Sequence, residues 1–166
     1  SGFTNAGITA LSVGNYHSCA ITSGSVYCWG DNSMFELGEI TPNYFSPVAV
    51  KVANNSSSGF TNAGITSVGA GYLHSCAVTG NDGSVYCWGA NNKGQLGDGT
   101  RTQSGVPVKV ADNQASGFVN LGISQVITGD RYSCVLKSPN AIAYCWGLNS
   151  DGQLGDGTSI SFSTLP

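Results

Sequence analysis

The stretch Gly71–Gly89, GYLHSCAVTGNDGSVYCWG, decides the fold because the chain contains it three times. Gly14–Gly30 reads GNYHSCAITSGSVYCWG, and Gly129–Gly147 reads GDRYSCVLKSPNAIAYCWG. In each copy, two runs of alternating apolar and polar residues flank a short polar turn, which is the pattern of a β-hairpin. The sequence therefore predicts three equivalent hairpins.

Each predicted hairpin carries one cysteine in each arm. Directly opposed residues of a hairpin have a constant sum of residue numbers, and for the cysteines this sum centres the three turns on the turn-forming pairs Ser-Gly (23–24), Asn-Asp (81–82) and Pro-Asn (139–140). Opposed Cα atoms lie roughly 4.5 to 5.5 Å apart, which is within disulfide range. Zinc binding is the alternative, but the close C-x-x-C spacing typical of structural zinc is missing from these pairs. The predicted disulfides are Cys19–Cys28, Cys76–Cys87 and Cys134–Cys145.

A longer unit repeats around these hairpins, since Cys19, Cys76 and Cys134 are 57 and 58 residues apart. Each unit holds a lead-in such as SGFTNAGIT (58–66), two hairpin arms, a glycine-rich loop and a β-branched run such as PVKV (107–110). Four short strands in a repeat of this length favour the four-stranded antiparallel blades of an all-β propeller, with a β-solenoid as the alternative. The predicted blade repeats are 1–56, 57–115 and 116–166, the third expected to stop before its last strand.

The repeated pattern resembles a known family. It reads G-x-x-H-S-C-A-[IV]-T, a turn, V-Y-C-W-G, then N-x-x-G-Q-L-G-D-G-T and P-V-x-V, and is similar to the regulator of chromosome condensation repeat. The resemblance covers nearly the whole chain and implies a β-propeller, commonly of seven blades. Paired cysteines in the hairpin arms resemble a secreted, bacterial-type branch of that family.

Composition excludes several classes of partner. With 6 basic and 9 acidic residues, the net charge is −3, so the chain has no phosphate-binding footprint and we do not expect it to bind nucleic acid. No apolar run approaches the ~20 residues that span a bilayer.

Paired cysteines indicate an oxidising compartment, so we expect a secreted or cell-surface protein. Because the chain starts at Ser1 without a methionine or an apolar leader, we also expect a processed protein or part of a longer one.

Residues of the hairpins offer catalytic and ligand-binding interpretations. His17 and His74 are potential bases or metal ligands, but the third copy has Tyr132 at this position, which favours a packed ring with one hydrogen bond. The three tryptophans have two possible roles: a stacking platform for a sugar or base, or packing in the blade core. The core is favoured. The GQLGDGT loops lack the residues of a phosphate-binding or calcium loop. We therefore expect neither an enzyme nor a cofactor or metal site. The tryptophans are Trp29, Trp88 and Trp146.

The loop MFELGEITPNYF (34–45) departs most from the other two copies. Met34, Phe35, Tyr44 and Phe45 stand where the second copy has Lys, Gly or polar residues. An exposed loop with this composition is a candidate partner-binding patch. Local packing against a neighbouring blade is the alternative.

Two overlapping N-glycosylation sequons begin at Asn54 and Asn55, in the connector ANNSSSGF (53–60). If the source organism glycosylates asparagine, this connector is a possible glycan site.

Three repeats are too few for a closed propeller, which has about four to eight blades. We therefore expect either a segment of a longer chain or copies that complete one another. The favoured function is an extracellular, non-enzymatic structural or protein-binding module that can assemble into a fibre. The resemblance also allows a secreted propeller that inhibits β-lactamases, and guanine-nucleotide exchange on a small GTPase such as Ran, which the cysteine pairing disfavours. A lectin-like glycan binder is a further alternative.

Overall fold

The structure is a computed structural model that describes residues 3, 6–158 and 160–166. Ser1, Gly2, Thr4, Asn5 and Ser159 lie outside the described residues, so four of the nine residues of the first lead-in (1–9) are not described. All regular secondary structure in the described part is β-strand, which confirms the all-β prediction. The strands are β1 (Ile8–Val13), β2 (His17–Thr22), β3 (Ser25–Asp31), β4 (Phe45–Lys51), β5 (Ile65–Ala70), β6 (His74–Thr79), β7 (Val85–Gly89), β8 (Ser104–Lys109), β9 (Ile123–Thr128), β10 (Tyr132–Lys137), β11 (Ile142–Leu148) and β12 (Phe162–Ser163).

Consecutive strands form three antiparallel four-stranded sheets, in the orders β1-β2-β3-β4, β5-β6-β7-β8 and β9-β10-β11-β12. We call them blades 1, 2 and 3. Each sheet lies inside one of the predicted ranges 1–56, 57–115 and 116–166, but the boundaries within the connectors stay predictions. The third repeat was expected to stop before its last strand. Instead, the two residues of β12 pair with β11, through Gly147 with Ser163 and Leu148 with Phe162.

The hairpin registers confirm the predicted cysteine pairing. Cys19 faces Cys28, Cys76 faces Cys87 and Cys134 faces Cys145, with Cα–Cα distances of 4.1, 4.0 and 4.1 Å. All six cysteines are disulfide-bonded. The alternation of apolar and polar residues determines this register, since a slip of one residue would turn every side chain to the opposite face.

The hydrophobic core lies between the blades. One cluster combines Ile21 and Val26 of blade 1 with Val68 and Trp88 of blade 2. A second cluster repeats the arrangement between blades 2 and 3, and includes Trp146. A twisted sheet of this size buries its faces by stacking against the next sheet, which is the arrangement of a propeller.

Close approach of the blades requires glycine at Gly71. A Cβ at this position would lie 2.7 Å from the carbonyl oxygen of Gly129 in blade 3 and 2.5 Å from the imidazole of His74. Any side chain would therefore push blades 2 and 3 apart.

Within the described residues, there is no helix of the length and hydropathy needed to cross a membrane.

Candidate functional site: blade contacts and the upper face

The loops of the three blades lie at two opposite ends. The loops 14–16, 71–73 and 129–131 join the first two strands of each blade. They share one end with the long loops that follow β3, β7 and β11, because antiparallel strands alternate in direction. We call this end the upper face. The hairpin turns and the connectors between blades lie at the opposite end.

A hydrogen-bond relay crosses the contact between blades 1 and 2. The Nε2 of His17 lies 2.8 Å from the Oγ of Ser75, and this hydroxyl donates to the backbone carbonyl of Glu36 at 2.9 Å. Because the hydroxyl proton is already used, the Nε2–H of the imidazole is the donor to Ser75. The relay thus joins a blade 2 hydroxyl to two groups of blade 1.

The same relay occurs between blades 2 and 3. The Nε2 of His74 lies 2.9 Å from the Oγ of Ser133, which donates to the carbonyl of Gln95 at 3.0 Å. Burial lowers the pKa of His17 from 6.5 to about 4, although Asp31 opposes this effect. Burial and the nearby His17 lower the pKa of His74 to about 3. Both rings are buried and neutral, and each makes the predicted single hydrogen bond.

The tryptophans reinforce these contacts. The Nε1 of Trp88 donates to the carbonyl of Glu36 at 2.7 Å, and the Nε1 of Trp146 donates to that of Gln95 at 2.9 Å. Both indoles are fully buried in the blade core, so they offer no platform to a sugar or base. Trp29 differs, because it is half-buried and packs against Phe3, with ring centroids 5.9 Å apart.

Glu36 carries an unusual carboxyl group, which the sequence analysis missed. The residue is fully buried; its Oε2 accepts from the backbone N–H of Met34 at 2.9 Å, but its Oε1 has no hydrogen-bond partner. Burial raises the pKa of Glu36 to about 7, and the neighbouring carboxyl of Asp31 adds to the shift. The other blades have the uncharged Gln95 and Gln153 at this position, and comparing the repeats would have shown the difference.

The divergent loop of blade 1 divides into two parts. Phe35 is half-buried and its ring faces Gly105 of β8, where an added Cβ would lie 3.4 Å from it. Met34, Tyr44 and Phe45 are exposed on the upper face. Phe35 thus packs on the neighbouring blade, whereas the other three side chains stay accessible; binding of a partner by this loop remains a prediction.

The two sequon asparagines have different surroundings. The Nδ2 of Asn55, the atom that a glycan would modify, donates to the carbonyl of Pro107 in blade 2 at 2.8 Å. Asn54 is exposed and uses its Oδ1 to accept from the backbone N–H of Asn62 at 2.8 Å. In the next repeat, Asp112 makes the same contact to Asn120 at 2.7 Å. A carboxylate can therefore replace the amide of Asn54, which shows that its nitrogen has no structural role.

Metal-ligand side chains are dispersed in the part of the chain that the structure describes, where no group of three or more His, Cys, Asp or Glu residues converges.

The repeat profile described as "Regulator of chromosome condensation (RCC1) repeat" matches residues 23–78 and 82–136. The chain belongs to the RCC1 repeat family. Each matched RCC1 repeat starts at or near a hairpin turn, so it combines the second half of one blade with the first half of the next.

Several known proteins share this RCC1 repeat architecture. The chain is 33% identical over 157 residues to the ultraviolet-B receptor UVR8 of Arabidopsis thaliana, a match that spans 92% of this chain and 32% of the receptor. Crystal structures of human WBSCR16 and of yeast RCC1 (Prp20) superpose with TM-scores of 0.78 and 0.76 at 23% and 20% identity. They cover 100% and 96% of this chain, which spans 38% and 36% of those chains. The RCC1 repeats described here thus amount to about a third of each of these proteins.

Proposed function

We propose that this chain belongs to an extracellular, non-enzymatic propeller that binds proteins through blade-to-blade contacts, and that copies of the chain associate in this way. The observation that carries the proposal is that blades 1 and 3 each expose side chains whose equivalents are buried wherever two blades meet. Disulfides in all three blades support the extracellular location, because cytosolic thiols are kept reduced.

Blade 1 has one open face, to which β1, β2 and β3 contribute side chains. Leu11 is 60% exposed, whereas its equivalents Val68 and Val126 are 8% and 3% exposed because each packs on the preceding blade. Val13 is 72% exposed and its blade 2 equivalent Ala70 only 4%. The open face also holds Ser18 and Trp29, equivalents of the residues that receive the relay in blades 2 and 3. Within the described residues, the Ser18 hydroxyl and the Trp29 indole N–H have no hydrogen-bond partner, although the Trp29 ring packs against Phe3.

Blade 3 has the opposite open face. Leu136 and Leu154 are half-buried there, while their equivalents in blades 1 and 2 are fully buried. The carbonyl of Gln153 has no donor within the described residues, although Glu36 and Gln95 each accept two bonds from the next blade. The open face of blade 1 thus has hydrogen-bond donors without acceptors, and the open face of blade 3 has an acceptor without donors. The two faces are therefore complementary in a head-to-tail contact.

Side-chain sizes at the two open faces also match. Gly94 of blade 2 lies against Thr164 of blade 3, where a Cβ on the glycine would lie 2.7 Å from the threonine Cα. Blade 1 presents Pro47 at the position of Thr164, and blade 3 presents Gly152 at that of Gly94, with open space around it. A glycine loop would again meet a bulky residue.

Light scattering and sedimentation of the purified chain over a range of concentrations test the proposal. We expect concentration-dependent association that Leu11→Asp abolishes, because a carboxylate would enter an apolar contact. Val119→Asp is the matched control, since Val119 is 45% exposed in a connector. If the unmodified chain also stays monomeric throughout this range, as the Leu11→Asp variant is expected to, association between copies is contradicted.

A further inference from the structure

We propose that a cavity on the upper face, between the loops of the three blades, binds a carboxylate group of an acidic polypeptide segment. The cavity measures about 280 Å³ and is lined by residues that include Met34, Leu73, Asn92, Gln103, Arg101 and Arg131. These residues come from all three blades. The cavity lies away from the two open faces and is formed by this chain alone, so it does not depend on association between copies.

Both arginines of the chain line this one cavity. The equivalents of Arg131 are Tyr16 and Leu73, and the blade 1 equivalent of Arg101 is Pro42, so neither arginine is part of the repeat pattern. The 166-residue chain carries a net charge of −3. Two guanidinium groups at one cavity therefore form a local positive site on an acidic molecule.

Aromatic rings hold the two guanidinium groups in position. The Cζ of Arg101 lies 4.8 Å from the ring centroid of Phe162, and that of Arg131 lies 5.3 Å from the ring centroid of Tyr72. The Nε–H of Arg101 also donates to the carbonyl of Asn92 at 3.0 Å. A guanidinium stacked on a ring keeps its in-plane N–H groups free to bind a carboxylate in bidentate fashion.

These arginines lack strong internal partners. Among the described residues, the one ion pair within 4.0 Å joins the Nε of Arg131 to the Oδ2 of Asp130 at that limit, and Arg101 has none. The Nε of Arg131 is buried and makes no hydrogen bond. This chain therefore leaves the guanidinium of Arg131 incompletely paired, and its other N–H groups belong to a side chain that is 35% exposed and are free to bind a carboxylate.

The walls of the cavity indicate a polypeptide rather than a bare ion. Met34 and Leu73 provide apolar surface for the methylene groups of a glutamate side chain, and Asn92 and Gln103 provide amides for the peptide backbone. This assignment gives a role to Met34, one of the three exposed side chains of the divergent loop.

Fluorescence anisotropy with a labelled hexaglutamate peptide tests the site, with hexaglutamine as the uncharged probe. We expect saturable binding of hexaglutamate only, weakened about tenfold or more by Arg101→Gln or Arg131→Gln, the effect of losing a charge-assisted hydrogen bond. Arg131→Lys keeps the charge but loses the fork geometry, so it should also weaken binding. Thermal unfolding establishes that each variant is folded, and the Arg101 variant serves as the test if Arg131 variants are not.

Lys51→Gln changes the net charge equally on exposed β4, and we expect it to leave the affinity within about twofold. Equal weakening by Lys51→Gln and the arginine variants would indicate diffuse attraction and overturn the proposal. So would equal binding of hexaglutamine, or no binding of hexaglutamate.

Discussion

The imidazole of His17 in blade 1 donates to the hydroxyl of Ser75 in blade 2 at 2.8 Å, although the two residues are 58 positions apart. The Ser75 hydroxyl in turn donates a hydrogen bond to the backbone carbonyl of Glu36. The contact between blades therefore depends on a buried hydroxyl that both accepts and donates. A resemblance to a His–Ser catalytic pair is misleading here, because both side chains are buried.

Loss of this hydroxyl should destabilise the chain. We expect Ser75→Ala to lower the free energy of unfolding by about 1–3 kcal/mol, since it leaves a buried N–H and a buried carbonyl with fewer partners. Ser18→Ala is the matched control, because Ser18 occupies the same position on the open face of blade 1. Urea unfolding measures both, and equal effects would contradict the importance of the relay.

Glu36 should make stability depend on pH. Its pKa is raised from 4.5 to about 7 in the folded protein, so the folded state binds more protons than the unfolded state between these values. Stability should then fall as the pH rises from about 4.5 to 7 and remain low above it. Protonation of His17 and His74 acts in the opposite direction, because their lowered pKa values reduce stability as the pH falls below 6.5.

Glu36→Gln should remove the loss of folding stability at high pH, and should stabilise the protein at pH 8 by about 2–3 kcal/mol. Gln95→Glu is the reciprocal change and should create a similar loss in blade 2, smaller because Ala90 replaces the neighbouring Asp31. Chemical unfolding at pH 5 and pH 8 measures both variants. A pH dependence unchanged by Glu36→Gln would refute this role of the carboxyl.

Phe35 and Gly105 should be energetically coupled. Phe35 has a φ of 68°, where its equivalents are glycines, and its ring is accommodated by the missing side chain of Gly105. We expect Gly105→Thr to destabilise the protein by about 1–3 kcal/mol, because the new side chain meets Phe35 and also Ile40, whose Cγ1 would lie 2.7 Å from its Cβ. Phe35→Gly should reduce that cost, and a double-mutant cycle measures the coupling. Additive effects would show that the two residues are independent.

Each disulfide should stabilise its blade. We expect the paired change Cys76→Ser and Cys87→Ser to cost about 2–4 kcal/mol in the free energy of unfolding, because it releases a loop in the unfolded chain. Intact mass under non-reducing and reducing conditions provides the control. Six free thiols in the native protein would contradict both the pairing and the proposed extracellular location.

Glycosylation, where the host supplies it, should occur at Asn54. The Nδ2 of Asn55 is occupied by the carbonyl of Pro107, whereas Asp112 shows that the equivalent of Asn54 needs only its oxygen. Asn54→Asp keeps that oxygen and the second sequon, so we expect it to abolish the glycan. Asn55→Gln keeps the first sequon and should retain the glycan. Mass spectrometry after secretion from eukaryotic cells distinguishes them, and a glycan on Asn55 would contradict the assignment.

The sequence by itself determined the local architecture. Alternating side chains and polar turns define the hairpin register, and that register places Cys76 opposite Cys87 without any long-range information. The spacing of the copies determines the blade repeat. The occurrence of Tyr132 at the position of His17 and His74 was sufficient to predict that the two histidines pack and make one hydrogen bond each.

The tertiary structure decided every property that depends on a neighbouring blade. Trp29 and Trp88 have the same sequence context, yet only Trp88 is fully buried, because blade 1 covers it. Burial of Glu36, the packing of Phe35 on Gly105 and the placement of Arg101 and Arg131 around one cavity follow in the same way. Desolvation and contact depend on the residues across the blade interface, and these residues are 30 or more positions apart in the chain.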